Sequence, residues 1–169
     1  MSDAPRLHVF AAADGIPNSR LPLAFWKRRA PISADGGRDI CRLYEANGWR
    51  GTWVYTVFPY WHFHTRGHEV LTCVAGRARI GLGGDGGIVV EVEPGDVTVI
   101  PAGVGHKRID SSPDFLMAGA YPPGQAGDIV RPGDVDAQRA AREIASVALP
   151  ATDPISGAAD GLIAAWRGV

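Results

Sequence analysis

Short apolar runs separated by glycine and proline dominate the middle of the chain. Five of them are rich in Val, Ile and aromatic residues and have the length of one or two strands: residues 52–58, 70–80, 88–92, 97–100 and 115–121. The second run is interrupted near Gly76, so it predicts either one strand or two. Residues 83–87 combine four glycines with an aspartate, and both residue types tolerate the positive φ angles of a hairpin turn. This pattern predicts an all-β sandwich or barrel of short strands.

Two further breaks in the pattern predict how the strands are connected. Pro94 and Gly95 occupy the central positions of a predicted type II turn. Pro59 predicts a bend or bulge before the segment that carries His62. Residues 101–105 are predicted to form a loop that delivers His106 to the end of a strand.

Two segments outside the strand region have helical spacing. Residues 33–47 place Ile40 and Leu43 on one face and end at an Asn-Gly pair. Residues 134–147 form the second predicted helix, with Asp134 as the candidate N-cap. Its predicted apolar face consists of Ala137, Ala141, Ile144 and Ala148.

The two ends of the chain show no sustained hydrophobic period. Residues 1–34 are therefore predicted to form an arm that wraps around the barrel. Residues 150–169 are predicted to form an ordered tail that packs Leu162 and Trp166. No internal repeat is visible, which favours a single barrel unit.

Composition narrows the class of protein further. A chain of 169 residues fits one domain with a real core. A net charge of −1 gives no electrostatic reason to expect nucleic acid or an anionic membrane as a partner. Two cysteines are too few for a framework of disulfide bonds. The sequence shows neither the pattern of a secretory signal nor an apolar run long enough to cross a membrane. A cytoplasmic protein is the expectation.

Histidines are concentrated where the strands are predicted, with four of the five between residues 62 and 106. Because side chains alternate along an extended strand, His62 and His64 point the same way. Glu69 and His106 can reach the same point from neighbouring strands. Burying these groups without a cation would leave costly unsatisfied polar atoms, so the pattern predicts a metal site.

The expected donors are three imidazole nitrogens and one carboxylate oxygen. Such a set suits a divalent transition metal ion (Fe, Mn, Ni, Co, Cu or Zn) and excludes a site meant for Mg or Ca. Four protein ligands leave positions open on an octahedral ion for a substrate or dioxygen. A closed tetrahedral zinc site with a structural role is the alternative.

At these residues the chain resembles the cupins. Their first motif corresponds to His62-x-His64-x4-Glu69-x6-Gly76, and their second to Gly95-x5-Pro101-x-Gly103-x2-His106. The second motif usually ends in an asparagine, where this chain has Asp110. From about residue 49 to residue 128 the amino-acid sequence is similar to that of the uncharacterised YjlB-like cupin subfamily.

The resemblance implies a cupin jelly-roll β-barrel with a short N-terminal helix and a C-terminal helix. It divides the single domain into an N-terminal arm and helix (1–48), the barrel core (49–122) and a C-terminal helix and tail (123–169). It also implies that the metal ligands are His62, His64, Glu69 and His106.

One ambiguity lies within the first motif. Cupins separate the second histidine from the acid by three or four residues, so His68 and Glu69 both fit, and they point to opposite faces of a strand. Glu69 is favoured because the family's fourth ligand is a carboxylate and because Glu69 keeps the six-residue gap to Gly76. His68 then lies next to the ligands, at the rim, or in solvent.

Strand parity also suggests which residues surround the metal. Tyr60 shares the face of the first two histidines, as a hydrogen-bond donor to a ligand or as an aromatic wall. Cys73 shares the face of Glu69, as a small buried residue or a pocket thiol. Arg108 shares parity with His106, as a binder of an acidic substrate or as a solvated strand end.

The leading functional hypothesis is a metal-dependent enzyme that acts on a small polar organic molecule. By analogy with metal-bearing cupins, a dioxygenase comes first and an isomerase or decarboxylase second. The alternative is a non-catalytic small-molecule binding or sensor protein, or a barrel that keeps a metal only for stability. A homodimer is expected, because the long N-terminal arm carries Phe25 and Trp26 and cupin barrels often pair through sheet edges and arms.

Overall fold

Nine antiparallel strands in two sheets form the framework of residues 4–169, the part of the chain that the computed structural model describes. The strands are β1 (Arg6–Phe10), β2 (Ser19–Trp26), β3 (Arg50–Tyr55), β4 (Glu69–Ala75), β5 (Ala78–Leu82), β6 (Ile88–Val92), β7 (Val97–Ile100), β8 (His106–Ser111) and β9 (Leu116–Tyr121). Three helices accompany them: α1 (Gly36–Ala46), α2 (Ala137–Ala145) and α3 (Leu162–Arg167). The predicted all-β fold is confirmed.

The two sheets face each other as in a jelly roll. The larger sheet has the strand order β1-β2-β7-β4-β9-β3, and the smaller one has the order β6-β5-β8. Strands adjacent in the sheets are often distant in sequence, because the chain crosses repeatedly from one sheet to the other. This closure brings the start of β4 and the start of β8 to the same end of the barrel interior.

The central strands β4 and β7 of the larger sheet are buried on both faces, which explains the continuous apolar character of β4. Leu71 and Cys73 point into the barrel interior with Ile80 and Leu82 of the smaller sheet. The alternate β4 residues point outwards into a second core, which α1 and α3 cover. Each fully buried aliphatic side chain contributes about 1.5–3 kcal/mol, so both layers are needed to hold the sheet in place.

The predicted turns form where glycine allows them. Gly95 has a φ of +96°, and the backbone N–H of Asp96 donates to the Glu93 carbonyl at 3.0 Å, as a type II turn requires. Residues 83–87 connect β5 to β6. The run at 70–80 is two strands, because the chain turns at Gly76 between β4 and β5.

The N-terminal segment differs from its prediction. The segment predicted as an arm around the barrel, with no strand assigned to it, forms β1 and β2, and β2 joins the larger sheet beside β7. Pro22 lies within β2 and hides the strand signal, because proline cannot donate to a ladder. The pairing with β7 begins only after it, at Ala24. Phe25 and Trp26 are buried in the chain's own core.

The helices are confirmed with shifted boundaries. Ile40 of α1 is buried as predicted. The N-cap of α2 is Asp136, whose carboxylate accepts from the Arg139 N–H at 2.9 Å. The predicted cap was wrong, since Asp134 instead accepts from the Arg131 N–H outside the helix.

The packing of the C-terminal segments also differs in part. The buried residue of α2 is Ala140, which was not on the predicted apolar face. The tail packs Leu162 and Trp166 as predicted, although the short helix α3 that carries them was not foreseen. No helix within residues 4–169 has the length and apolar character needed to cross a membrane.

Candidate metal site

Three histidines meet at one end of the barrel interior. His62 and His64 lie in the extended segment before β4, and His106 opens β8. His62 and His106 exchange backbone hydrogen bonds at 3.3 and 2.9 Å, so their rings pack with centroids 4.1 Å apart. Phe63, between the first two, points away and is buried against Ile16 and Val130. We refer to His62, His64 and His106 as the histidine cluster.

Each ring of the histidine cluster is oriented by a backbone carbonyl. Nδ1 of His62 lies 3.1 Å from the Tyr60 carbonyl oxygen. Nδ1 of His64 lies 2.6 Å from that of Asp128, and Nδ1 of His106 lies 3.0 Å from that of Val104. Because a carbonyl can only accept, each Nδ1 carries the proton of the neutral ring. The Nε2 lone pairs are then free to coordinate a cation. One ligand nitrogen of each ring lies within 4.8 Å of the others.

Glu69 completes the arrangement from the first position of β4. Its Oε2 atom lies 2.9 Å from His64 Nε2 and 3.3 Å from His106 Nε2. Burial opposes the charge on this carboxyl, but the neighbouring His64 and His106 hold its pKa well below its usual range. Burial also disfavours a charged His64, and Glu69 outweighs it and raises the pKa of that imidazole.

His62 has the opposite electrostatic environment. Burial and the neighbouring His106 lower its pKa to about 3, so this imidazole is neutral at physiological pH and can act as a ligand without losing a proton.

His68 lies on the other side of the sheet, as strand parity predicts. Its Nδ1 accepts from the Ala102 N–H at 2.9 Å, and its ring packs against Trp166 with centroids 4.8 Å apart. Burial lowers its pKa to about 4. The structure therefore brings Glu69, and not His68, to the histidine cluster.

A cavity of about 300 Å³ opens beside the histidine cluster. Its walls are mainly apolar and aromatic, with Trp53, Val57, Phe58, Leu71 and Ile129 among them. Glu69 and Tyr121 line it together with the three histidines. Small-molecule sites generally combine such apolar walls with a few convergent polar groups.

The three residues predicted around the metal do not line this cavity. Tyr60 stacks on Phe58, with centroids 5.3 Å apart, and packs edge-on to His62, with centroids 5.8 Å apart. The Arg131 guanidinium lies 3.6 Å from the Tyr60 ring centroid. Tyr60 orients His62 through its carbonyl and not through its hydroxyl. Cys73 lies deeper in the core, where burial raises the pKa of its thiol to about 12.

Arg108 is held by the protein itself. Its guanidinium donates to the Val57 carbonyl at 3.2 Å and to the Ser111 hydroxyl at 3.0 Å. Asp110, at the position where the cupin motif usually has asparagine, pairs with Arg79 on the surface at 2.9 Å. Neither side chain reaches the histidine cluster.

Tyr121 was missed by the sequence analysis. Its ring packs edge-on to His64, with centroids 6.2 Å apart, and its hydroxyl oxygen accepts from the Trp53 indole N–H at 3.0 Å. Burial and the nearby Glu69 raise the pKa of this phenol above its usual value, so it keeps its proton. Tyr121 is the last residue of β9. The alternation of side chains along the strand predicted at 115–121 was the signal from which its position could have been found.

Asp128 was also missed, and no local pattern marks it. Its carboxylate accepts from the Thr65 N–H at 3.0 Å, the Thr65 hydroxyl at 2.8 Å and the Arg66 N–H at 3.0 Å. Its backbone carbonyl accepts a hydrogen bond from His64 Nδ1. Residues 122–131 thus hold the turn after His64 in place.

The model of the Cupin family matches residues 60–120, which contain the histidine cluster and Glu69. The chain is also 42% identical over 125 residues to a curated relative, covering 74% of this chain and 76% of that protein. The chain therefore belongs to the cupin superfamily. The relative is "Uncharacterized protein YjlB" from Bacillus subtilis (strain 168), so the resemblance to the YjlB-like subfamily is confirmed.

Solved structures of similar fold include an acireductone dioxygenase from Bacillus anthracis with a cadmium ion in its active centre. It has a TM-score of 0.45 and 16% identity, covering 64% of this chain and 82% of that one. Another is the QdtA 3,4-ketoisomerase from Thermoanaerobacterium thermosaccharolyticum, with a TM-score of 0.42 and 17% identity over 78% of this chain and 89% of that one. At these identities the likeness extends to the fold and not to a reaction.

Proposed function

We propose that this cupin is a metal-dependent enzyme whose divalent transition metal ion is held by His62, His64, Glu69 and His106. One observation carries the proposal. The three Nδ1 atoms face backbone carbonyls, so the three Nε2 atoms converge next to a buried carboxylate, where a cation would take the place of any shared proton. This donor set fits Fe, Mn, Ni, Co, Cu or Zn, and carbonyls behind the imidazoles are the usual support of such a site.

The chain's own residues suggest how a substrate would be handled. When bound, the ion supplies Lewis-acid polarisation of a ligating oxygen and, if it is redox-active, activation of dioxygen. The apolar walls restrict water around the reacting atoms. The Tyr121 hydroxyl accepts from Trp53, which leaves its own proton available for Glu69 or for a substrate oxygen. A dioxygenase comes first among the candidate reactions, and an isomerase or decarboxylase second, by analogy with other metal-bearing cupins.

A non-catalytic small-molecule binding or sensor protein is the second candidate. The observation that favours it is the scarcity of proton-transfer groups in the cavity. Apart from Glu69 and the histidine cluster, the lining side chains that carry an exchangeable proton are those of Trp53, Tyr55, Thr56 and Tyr121.

The first experiment tests metal binding. The untagged protein is purified without chelator, reconstituted with each candidate ion, dialysed and analysed for metal content. We expect roughly one ion per chain in the native protein and almost none in His62→Ala. His8→Ala is the matched control, because His8 lies on β1 outside the cavity. Equal retention by native protein and His62→Ala, or no retention at all, contradicts the proposed site.

The second experiment separates the enzyme from the sensor. Oxygen consumption and product formation are followed with a panel of small acids, phenols and thiols. Turnover that is lost in His62→Ala, while the circular dichroism spectrum is unchanged, supports the enzyme. Tight ligand binding without consumption of any compound supports the sensor.

Homodimer formation and a cytoplasmic location remain predictions. Since Phe25 and Trp26 are buried in the chain's own barrel, they are not available to a partner. The edge strands through which a second copy would pair are β1 and β3 of the larger sheet and β6 and β8 of the smaller one. Sedimentation equilibrium tests it.

A further inference from the structure

The charges around the cavity indicate what part of a substrate it accepts. Among residues 4–169, Glu69 is the only acidic residue that lines the cavity, and it faces the histidine cluster. Within residues 4–169 no lysine or arginine contributes to the lining.

Three cationic side chains close to the site in sequence are engaged elsewhere. Arg108 donates to Val57 and Ser111, and Arg131 stacks on Tyr60. Lys107 lies over Trp61, 4.8 Å from the ring centroid. A second anionic group on a ligand would therefore be desolvated in this cavity without a cation to pair with, which is unfavourable.

The other walls of the cavity fit an apolar body. Val57 and Leu71 are buried at 4% and 2% exposure, and Trp53, Phe58 and Ile129 add two aromatic surfaces and an aliphatic one. An apolar cavity of about 150 Å³ in another protein holds benzene. About 300 Å³ therefore has room for one substituted ring beside the ligating atoms.

We propose that the cavity selects small molecules in which the metal-ligating oxygens are attached to an uncharged, largely apolar body, and that it rejects analogues carrying a carboxylate on that body. This proposal rests on the proposed metal site. It narrows the expected substrate class from small polar molecules in general to molecules whose polar groups are confined to the end that ligates the metal.

A matched pair of catechols tests the proposal. Methyl 3,4-dihydroxybenzoate and 3,4-dihydroxybenzoate share the diol and a ring carbonyl, and they differ mainly in one negative charge. Zinc is used as a redox-inactive ion, so binding is measured by calorimetry without turnover. We expect the neutral ester to bind at least roughly tenfold more tightly than the acid, because the carboxylate loses hydration without a partner.

A charge introduced into the cavity wall provides a second measurement. Ile129 is 46% exposed at the cavity mouth, so Ile129→Arg adds a cation without disturbing the core. It should raise the affinity for the acid roughly tenfold relative to the ester. Leu116→Arg is the control, because Leu116 is 41% exposed on β9 and does not line the cavity. It should leave the ratio unchanged.

The outcomes separate this proposal from the metal site it depends on. A protein that fails to retain zinc contradicts both. A zinc-loaded protein that binds the acid as tightly as the ester contradicts the charge selection alone. An unchanged ratio in Ile129→Arg shows that the ligand body does not lie against this wall, which also overturns the proposal.

Discussion

Asp128 illustrates how much of the site is decided one residue away from the ligands. Its carboxylate holds the Thr65–Arg66 turn, and its carbonyl orients His64. Tyr60 and Val104 supply the corresponding carbonyls for His62 and His106. The position of each Nε2 atom therefore depends on groups that never touch a metal.

Removing the Asp128 carboxylate should weaken metal binding without unfolding the barrel. Asp128→Ala loses the clamp on the turn after His64, so the imidazole is held less firmly. We expect metal affinity to fall by about 10–100-fold, measured by competition with a chromogenic chelator. Asp134→Ala is the control, since Asp134 accepts from a backbone N–H in the neighbouring turn and lies away from His64. Equal affinities for the two variants would contradict the role of Asp128.

At this scale, sequence reasoning located the candidate ligands but not their supports. The spacing of His62, His64, Glu69 and His106 follows from strand alternation, which is a local rule. The oxygens that orient the histidines come partly from Asp128, in a segment more than 60 residues away along the chain. Nothing in the local pattern near residue 128 marks this contact.

At the scale of elements, the turn between β4 and β5 determines where both strands run. Gly76 has a φ of +65°, in the region that residues with a Cβ rarely occupy. A Cβ at this position would meet the Phe115 backbone at 2.7 Å. The glycine of the first cupin motif is thus required by both the turn and the close approach of Phe115, the residue before β9.

Gly76→Ala should be markedly destabilising. Left-handed strain costs roughly 1–2 kcal/mol and the backbone clash adds roughly 1–3 kcal/mol, so we expect a loss of about 2–5 kcal/mol in the free energy of unfolding. Gly124→Ala is matched in φ, at +75°, but its Cβ would meet nothing within 4 Å. Urea titration of Gly124→Ala should therefore show a loss of only about 1 kcal/mol in the free energy of unfolding, which is the cost of the backbone strain without a clash. Equal losses would show that the contact with β9 is unimportant.

Elements with uninterrupted local signals were predicted well, and those with conflicting signals were not. β6 and β7 match their predicted ranges, because apolar runs between glycine turns leave few alternatives. β2 was missed because Pro22 interrupts its pattern and because the strand is stabilised by distant neighbours, β1 and β7.

At the scale of the whole molecule, the C-terminal tail completes the outer core. Trp166 is 1% exposed, and its indole N–H donates to the Pro22 carbonyl of β2 at 2.7 Å. Its ring also packs against His68. The last helix is therefore tied to a strand from the other end of the chain and to the residue preceding Glu69.

Trp166→Ala should destabilise the protein by about 3–5 kcal/mol, as for other buried tryptophans. Trp166→Phe keeps most of the packing and loses the hydrogen bond to Pro22, so its loss should be smaller, about 1–2 kcal/mol. Val169→Ala, at a position 56% exposed, serves as the control in chemical denaturation. A Trp166→Ala protein as stable as the control would show that α3 is dispensable.

The sequence by itself determined the class of fold, the turns and the set of candidate ligands, because period, turn chemistry and motif spacing act over a few residues. Only the tertiary structure decided between His68 and Glu69, placed Arg108 outside the cavity and joined Asp128 to His64. Each of these outcomes depends on which distant segments meet when the two sheets close. Such contacts are set by the packing of the whole chain and leave no periodic trace in any one segment.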